Sequence, residues 1–223
     1  MATRPIYFAD DAAGEPVYAY DMEFDWVAGM AISQKQKCIQ SLHSAIGQQW
    51  KDSAILEVSS KSENPLGVKL SAFNLGFERN GKFITVECAF QGSKVFEHGG
   101  PFLELYEDRS IRAKQFFQDK DLGRLIKFSF FGKEDWELDP PTMFYDWIYI
   151  NSLHRHSELI DEVIKYDVFT DIEFNPKRSI NCQARSVALY VGLHQAGILG
   201  DVIEDKSRYK EYICSVAARH KML

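Results

Sequence analysis

The stretch Asn80-Gly81-Lys82-Phe83-Ile84-Thr85-Val86-Glu87-Cys88-Ala89-Phe90-Gln91-Gly92-Ser93-Lys94-Val95-Phe96 changes its hydrophobic period part-way through. Asn80-Gly81 is a turn signal, and 83–86 reads as the short strand that follows it. From Glu87 the pattern predicts a helix over 87–96, stopped by Gly99-Gly100-Pro101. At about 100° per residue, Glu87, Gln91 and Lys94 would fall within roughly 60° of one another. Val86, Ala89, Phe90, Ser93 and Phe96 would cover the adjoining apolar face. An acid, an amide and an amine beside an apolar wall suit a pocket. Burial there would shift the pKa values of acid and amine and make Lys94 a nucleophile. A solvated stripe on an amphipathic helix explains the same spacing, and periodicity by itself favours it.

Outward from this stretch, helical spacing recurs over 31–49, where Ile32, Ile39, Leu42 and Ile46 stand among polar residues. Residues 54–58 read as a strand. Residues 112–118, 142–153, 158–165, 180–195 and 206–219 read as helices, 125–131 as a strand and 169–174 as extended. The first thirty residues mix acidic and aromatic side chains and receive no assignment. Helices outnumber strands without alternating strictly with them, which favours a single helix-rich α+β domain with a few short strands over a doubly wound sheet. The expected organisation is an extension over 1–50 packed on a catalytic domain over 51–223.

A second candidate site is Phe169-Thr170-Asp171-Ile172-Glu173-Phe174-Asn175-Pro176-Lys177-Arg178-Ser179-Ile180-Asn181. If extended, Asp171, Glu173 and Asn175 share a face, where carboxylates can handle protons or hold a ribose. Lys177 and Arg178 then precede a helix expected to begin near Ser179, whose free N–H groups favour phosphate. A charged edge strand is the equal alternative. The segment 67–75, containing Ser71, Phe73 and Asn74, reads as a loop that either carries ligand contacts or merely connects.

With 223 residues, 45% hydrophobic and 26% charged, the chain has the composition of a globular protein with a substantial core. A net charge of −6 argues against a protein that wraps long DNA, though not against one that reads a single modified nucleotide. Cys38, Cys88, Cys182 and Cys214 form no C-x-x-C pair. The opening MATRPIYFADDAAGEP does not read as a signal peptide, and no apolar run is long enough for a membrane span. The expectation is a cytoplasmic protein with free thiols and no membrane partner. No phosphate loop, dinucleotide fingerprint or nucleophile elbow occurs. His154 and His156 lack a third ligand at metal spacing, so neither metal nor other cofactor is expected.

The segment 80–96 resembles the signature of the NADAR family, roughly G-K-x-x-x-[TS]-V-E-x-x-F-Q-x-x-K-F, with one residue here between Lys94 and Phe96. Leu70-Ser71-Ala72-Phe73 is similar to the family's L-S-N-F, with Ala72 in place of Asn. Trp136 and Asn181 resemble the family's later Trp and Asn, but the Trp-Gly-rich run before that Asn is replaced by Thr170-Asp171-Ile172-Glu173-Phe174-Asn175-Pro176-Lys177. The run 170–185 looks like the branch paired with DNA guanine ADP-ribosyltransferase toxins. This resemblance, spanning about residues 66–193, implies a NADAR-type α+β fold. It further implies an antitoxin that removes ADP-ribose from guanine in DNA or RNA, with ADP-ribose as a ligand and a toxin as functional partner. Lys94 would form a Schiff base, Glu87 and Asp171 would move protons, and Phe90 or Trp136 would stack on the purine. Ser71, Phe73, Asn74, Gln91, Glu173, Asn175, Lys177, Arg178 and Asn181 would complete the substrate contacts. Alternatives are an ADP-ribose or NAD binding module without hydrolysis, an N-glycosidase of a riboflavin-pathway intermediate, and a partner-binding protein.

Overall fold

The computed structural model describes residues 1–9, 15–177 and 179–220, with only the backbone described for Arg219 and His220. The fold is α+β and helix-rich. The chain divides into two compact units, Met1–Ser71 with His156–Val202, and Ala72–Arg155 with Ile203–Leu223.

The first unit is built on a sheet of order β2-β1-β9-β3. Its strands are β1 (Ala2–Phe8), β2 (Tyr18–Phe24), β3 (Ile55–Glu57) and β9 (Val168–Thr170). β1 runs antiparallel to β2 and β9, and β3 runs parallel to β9. Helix α1 (Ile32–Gln49) turns Cys38, Ile39, Leu42 and Ile46 onto this sheet. There they bury against Ile6, Met22, Phe24, Val168 and Ile172. Truncating one such side chain to Ala would cost about 2–5 kcal/mol. The short helix α2 (Pro65–Lys69) is entered through Asn64, whose side chain accepts from Leu66 N at 2.9 Å, with Pro65 at the first helical position. Helices α6 (Ser157–Val163) and α7 (Gln183–Gln195) complete the unit. Along α7, Gly192 lies where a Cβ would come within 1.8 Å of the Pro16 carbonyl oxygen, so only glycine permits that approach.

The opening stretch, unassigned from sequence, thus supplies two strands. Pro5 disguises β1, yet it pairs opposite Asp21 while β9 reaches only Tyr7 and Phe8. The missing N–H is tolerated where the other edge is open.

The second unit opens with the hairpin β4 (Gly76–Arg79) and β5 (Lys82–Thr85). Its turn is at Asn80 and Gly81, both at positive φ (51° and 73°), as the Asn-Gly pair predicts. Helix α3 (Val86–Gly92) follows, capped by the Thr85 side chain, which accepts from Cys88 N at 3.2 Å. A three-stranded antiparallel sheet contains β6 (Lys94–Phe96), β7 (Leu125–Phe130) and β8 (Glu134–Trp136). Helices α4 (Ser110–Gln115), α5 (Met143–Leu153) and α9 (Lys206–His220) lie in this unit, and α8 (Leu199–Ile203) ends at the boundary.

Three sequence expectations need correction. The helix expected over 87–96 ends at Gly92. A Cβ at Gly92 would meet the Tyr106 ring at 2.7 Å, and Ser93 Oγ bonds both Ala89 O (2.7 Å) and Tyr106 Oη (2.6 Å). Lys94 and Val95 are then drawn into pairing with β7, so sheet context overrides the helical period. The extended run over 169–174 stops at Thr170. Asp171 Oδ1 accepts from Glu173 N (3.0 Å) and Phe174 N (3.2 Å), turning the chain. Asp171, Glu173 and Asn175 therefore do not share a strand face. The helix expected from 180 begins at Gln183; ahead of it Ser179 N donates to Asn175 O (3.0 Å) and Lys177 N to Asn175 Oδ1 (3.0 Å).

Candidate active site

The chemistry-bearing groups of the second unit gather around α3. Every residue of this helix is buried, including Glu87 and Gln91, each 7% exposed. Its first turn is fastened by Glu87 N donating to Ala72 O (3.0 Å), which holds the Ala72–Phe73 stretch beside the helix. Gln91 Nε2 donates to Glu87 Oε1 at 2.9 Å, an i,i+4 pair. The other end of that amide, Gln91 Oε1, is buried with no hydrogen-bond donor among the described residues. A buried acceptor without a donor costs on the order of 1–3 kcal/mol, so this atom is suited to a ligand donor.

Lys94 leaves the helix and starts β6, yet its ammonium remains within the electrostatic reach of Glu87. It lies 5.0 Å from the Phe90 ring centroid and 5.1 Å from that of Phe117. No hydrogen bond or ion pair to a described residue reaches it. Burial pushes the Lys94 pKa down, with Glu87 opposing. Burial pushes Glu87 up, opposed by the Gln91 bond and by the Lys114 and Lys94 charges. Both shifts move the pair toward its neutral forms. A lysine whose ammonium is destabilised by burial gives up its proton more readily than a free one, which favours nucleophilic use.

The first unit holds a different cluster. Asp171, 7% exposed, sits just beyond β9 with its carboxyl pushed up to about 8 by burial and by the neighbouring Glu57 charge. Cys182 Sγ lies 3.9 Å from Asp171 Oδ2, and burial raises both the Cys182 thiol and the Tyr7 phenol that bonds it. Glu173 is turned toward Lys35 of α1, at 3.1 Å.

The model of the DarT1-associated NADAR antitoxins matches residues 2–222. The chain belongs to this family. NADAR proteins are associated with N-glycosidase activity, and the family's description pairs them with the DarT1 toxin. No curated protein matches the chain. The match includes the opening fifty residues as well as the motif region, consistent with β1, β2 and α1 being part of the first unit's sheet and core. Among the described residues, no helix is long and apolar enough to cross a membrane.

Within this NADAR chain, the second unit brings Glu87, Phe90, Gln91 and Lys94 together, with Phe73 half-buried and Asn74 exposed alongside. Trp136 is 1% exposed, enclosed by Phe144, Trp147 and Tyr209 with the Lys206 ammonium 4.5 Å from its ring centroid. Its faces are thus taken by protein, as are those of Phe90, 7% exposed among Phe128, Phe144 and Tyr145. Ser71 is buried in the first unit. Asn175 is half-buried, Lys177 exposed, and Asn181 lies two residues short of α7 instead of opening it. Arg178 lies outside the described residues. Sequence reasoning missed Lys114, an exposed α4 residue 5.1 Å from the Phe73 ring centroid whose charge acts on Glu87. It also missed Phe117, Glu57 and His43. None of these sits in the signature, and their positions follow only from tertiary pairing.

Proposed function

We propose that this NADAR antitoxin is an N-glycosidase that removes ADP-ribose from guanine in nucleic acid, reversing the modification made by its toxin. The observation that carries this reading is the half-buried Lys94 amine, without a hydrogen bond or ion pair to a described residue, within electrostatic reach of the buried Glu87 carboxyl and near the Phe90 and Phe117 rings.

In this reading the ribose attached to the guanine amine opens to an imine-like C1″. Neutral Lys94 Nζ attacks C1″, forming a C–N bond. The bond from C1″ to the guanine nitrogen breaks, and that nitrogen leaves with a proton supplied by Glu87. Water then adds to the lysine Schiff base, releasing ADP-ribose and restoring the amine. Gln91 Oε1 accepts from a substrate hydroxyl or N–H, and Phe90 forms an apolar wall beside the lysine. Asp171 is assigned as a second proton-handling group. Lys177 is assigned a supporting role toward the pyrophosphate, by its own charge and not by a helix end. A toxin need not be physically bound for this role.

The test is incubation of the protein with a guanine-ADP-ribosylated oligonucleotide, followed by mass analysis with and without borohydride. The expected results are an unmodified oligonucleotide, free ADP-ribose, and a reduced covalent adduct on Lys94. Tight binding of the modified oligonucleotide with no release would favour a binding module and remove the hydrolase reading.

A further inference from the structure

Glu57 has no place in the steps above, yet it is among the most deeply buried charged groups in the first unit, at 2% exposure on β3. Its carboxylate receives the Thr170 hydroxyl at 2.6 Å and the Ile172 N–H at 2.9 Å, with a further bond from the Ser59 side chain. Thr170 and Ile172 are the residues immediately before and after Asp171. One carboxylate therefore grips the chain on both sides of Asp171 at the point where β9 ends. Behind it, His43 Nε2 of α1 lies 2.9 Å from Thr170 Oγ1. Because the Thr170 hydroxyl proton is given to Glu57, its oxygen is free to accept, and His43 donates through Nε2. Burial keeps the His43 ring neutral, its pKa lowered to about 4, so this orientation is stable at neutral pH.

Thr170 donates to one oxygen of the carboxyl and Ile172 N–H to the other, so both must accept, as an ionised carboxylate does and an amide does not; the charge so fixed lies beside a second carboxyl, an arrangement that is costly. Burial raises both Glu57 and Asp171, and of two carboxyls buried together the one with more donors ionises first. Glu57 has a hydroxyl, an amide and Ser59, whereas Asp171 has two amides on Oδ1. The other groups acting on Asp171 are Glu173 and Cys182; Glu173 is paired with Lys35, and Tyr7 and Arg185 adjoin Cys182 and each other.

We propose that Glu57 is the positioning residue of Asp171, with Thr170 and His43 holding Glu57 ionised so that the proton on Asp171 is retained. This rests on the reading of Asp171 as a proton-handling group.

The test compares kcat and KM against pH for the full chain on the ADP-ribosylated guanine oligonucleotide. Glu57→Gln keeps the shape and removes the charge. It is expected to lower kcat about tenfold or more with KM little changed, and to move the high-pH limb toward lower pH because the like charge that retains the Asp171 proton is gone. Thr170→Val should shift the same limb in the same direction, and Thr170→Ser should restore it. These two variants carry the test if Glu57→Gln does not fold. An unmoved limb in Glu57→Gln or Thr170→Val, or Thr170→Ser behaving like Thr170→Val, would overturn the proposal. Asp171→Asn separates the two levels. Wild-type kcat in that variant removes the Asp171 reading and this inference with it. An impaired Asp171→Asn beside an unmoved Glu57→Gln limb removes the inference alone.

Discussion

The carboxyls of Glu87 and Asp171 are equally withdrawn from water, yet their surroundings push them to different uses. Around Glu87 the neighbouring charges are cations, Lys94 and Lys114, and they oppose the effect of burial. Around Asp171 the nearest charge is another carboxylate, Glu57, and it adds to the effect of burial. In the first, burial loosens the lysine's proton while the cations temper the rise at Glu87, which suits a nucleophile that must be free of its proton. The second holds a proton tightly and releases it only at alkaline pH. Burial alone distinguishes neither; the sign of the neighbouring charge does.

The comparison is broken most directly at Lys94. Lys94→Ala should abolish cleavage and the borohydride adduct while leaving the fold intact, since the ammonium makes no hydrogen bond to a described residue. Full turnover by that variant would remove lysine from the mechanism. Next in size, Glu87→Gln should slow kcat by about a hundredfold or more, as for a lost general acid–base, with substrate binding retained. An unchanged kcat at saturating substrate would leave Glu87 a structural role only.

The Asp171 side of the comparison is sharpened by stability. Its folded pKa, about 8, lies above the ordinary value of 3.8. The folded state therefore binds the proton more tightly than the unfolded chain. The stability this contributes is fully present below about 3.8 and is lost as the pH rises toward about 8. Melting curves should show Tm falling across that window, and Asp171→Asn should flatten the fall. A slope identical to wild type would mean that Asp171 ionises normally. The smallest effect is expected at Lys177. Lys177→Ala should weaken ADP-ribose binding by no more than about fivefold, the worth of one exposed charge, and leave binding of ribose-linked guanosine unchanged. Calorimetric titration with both ligands checks this, and an equal loss for both would place the pyrophosphate elsewhere.

The sequence by itself determined the helix-rich α+β class, the Asn80-Gly81 hairpin, α1 with its Ile39, Leu42 and Ile46 face, and the pairing of Glu87 with Gln91 on α3. These are local matters, set by turn chemistry and by periodicity within one element. Only the tertiary structure decided that Lys94 belongs to a strand, that the chain turns at Asp171, and that Pro5 sits within β1. Glu57 was invisible for the same reason. It stands 114 residues before Asp171 in the chain, and the parallel pairing of Glu57 with Thr170 brings it there. Periodicity reports which faces are apolar. It carries no information about which distant strand a residue will pair with, and the charge beside a buried carboxyl, which sets its chemistry, comes from that pairing.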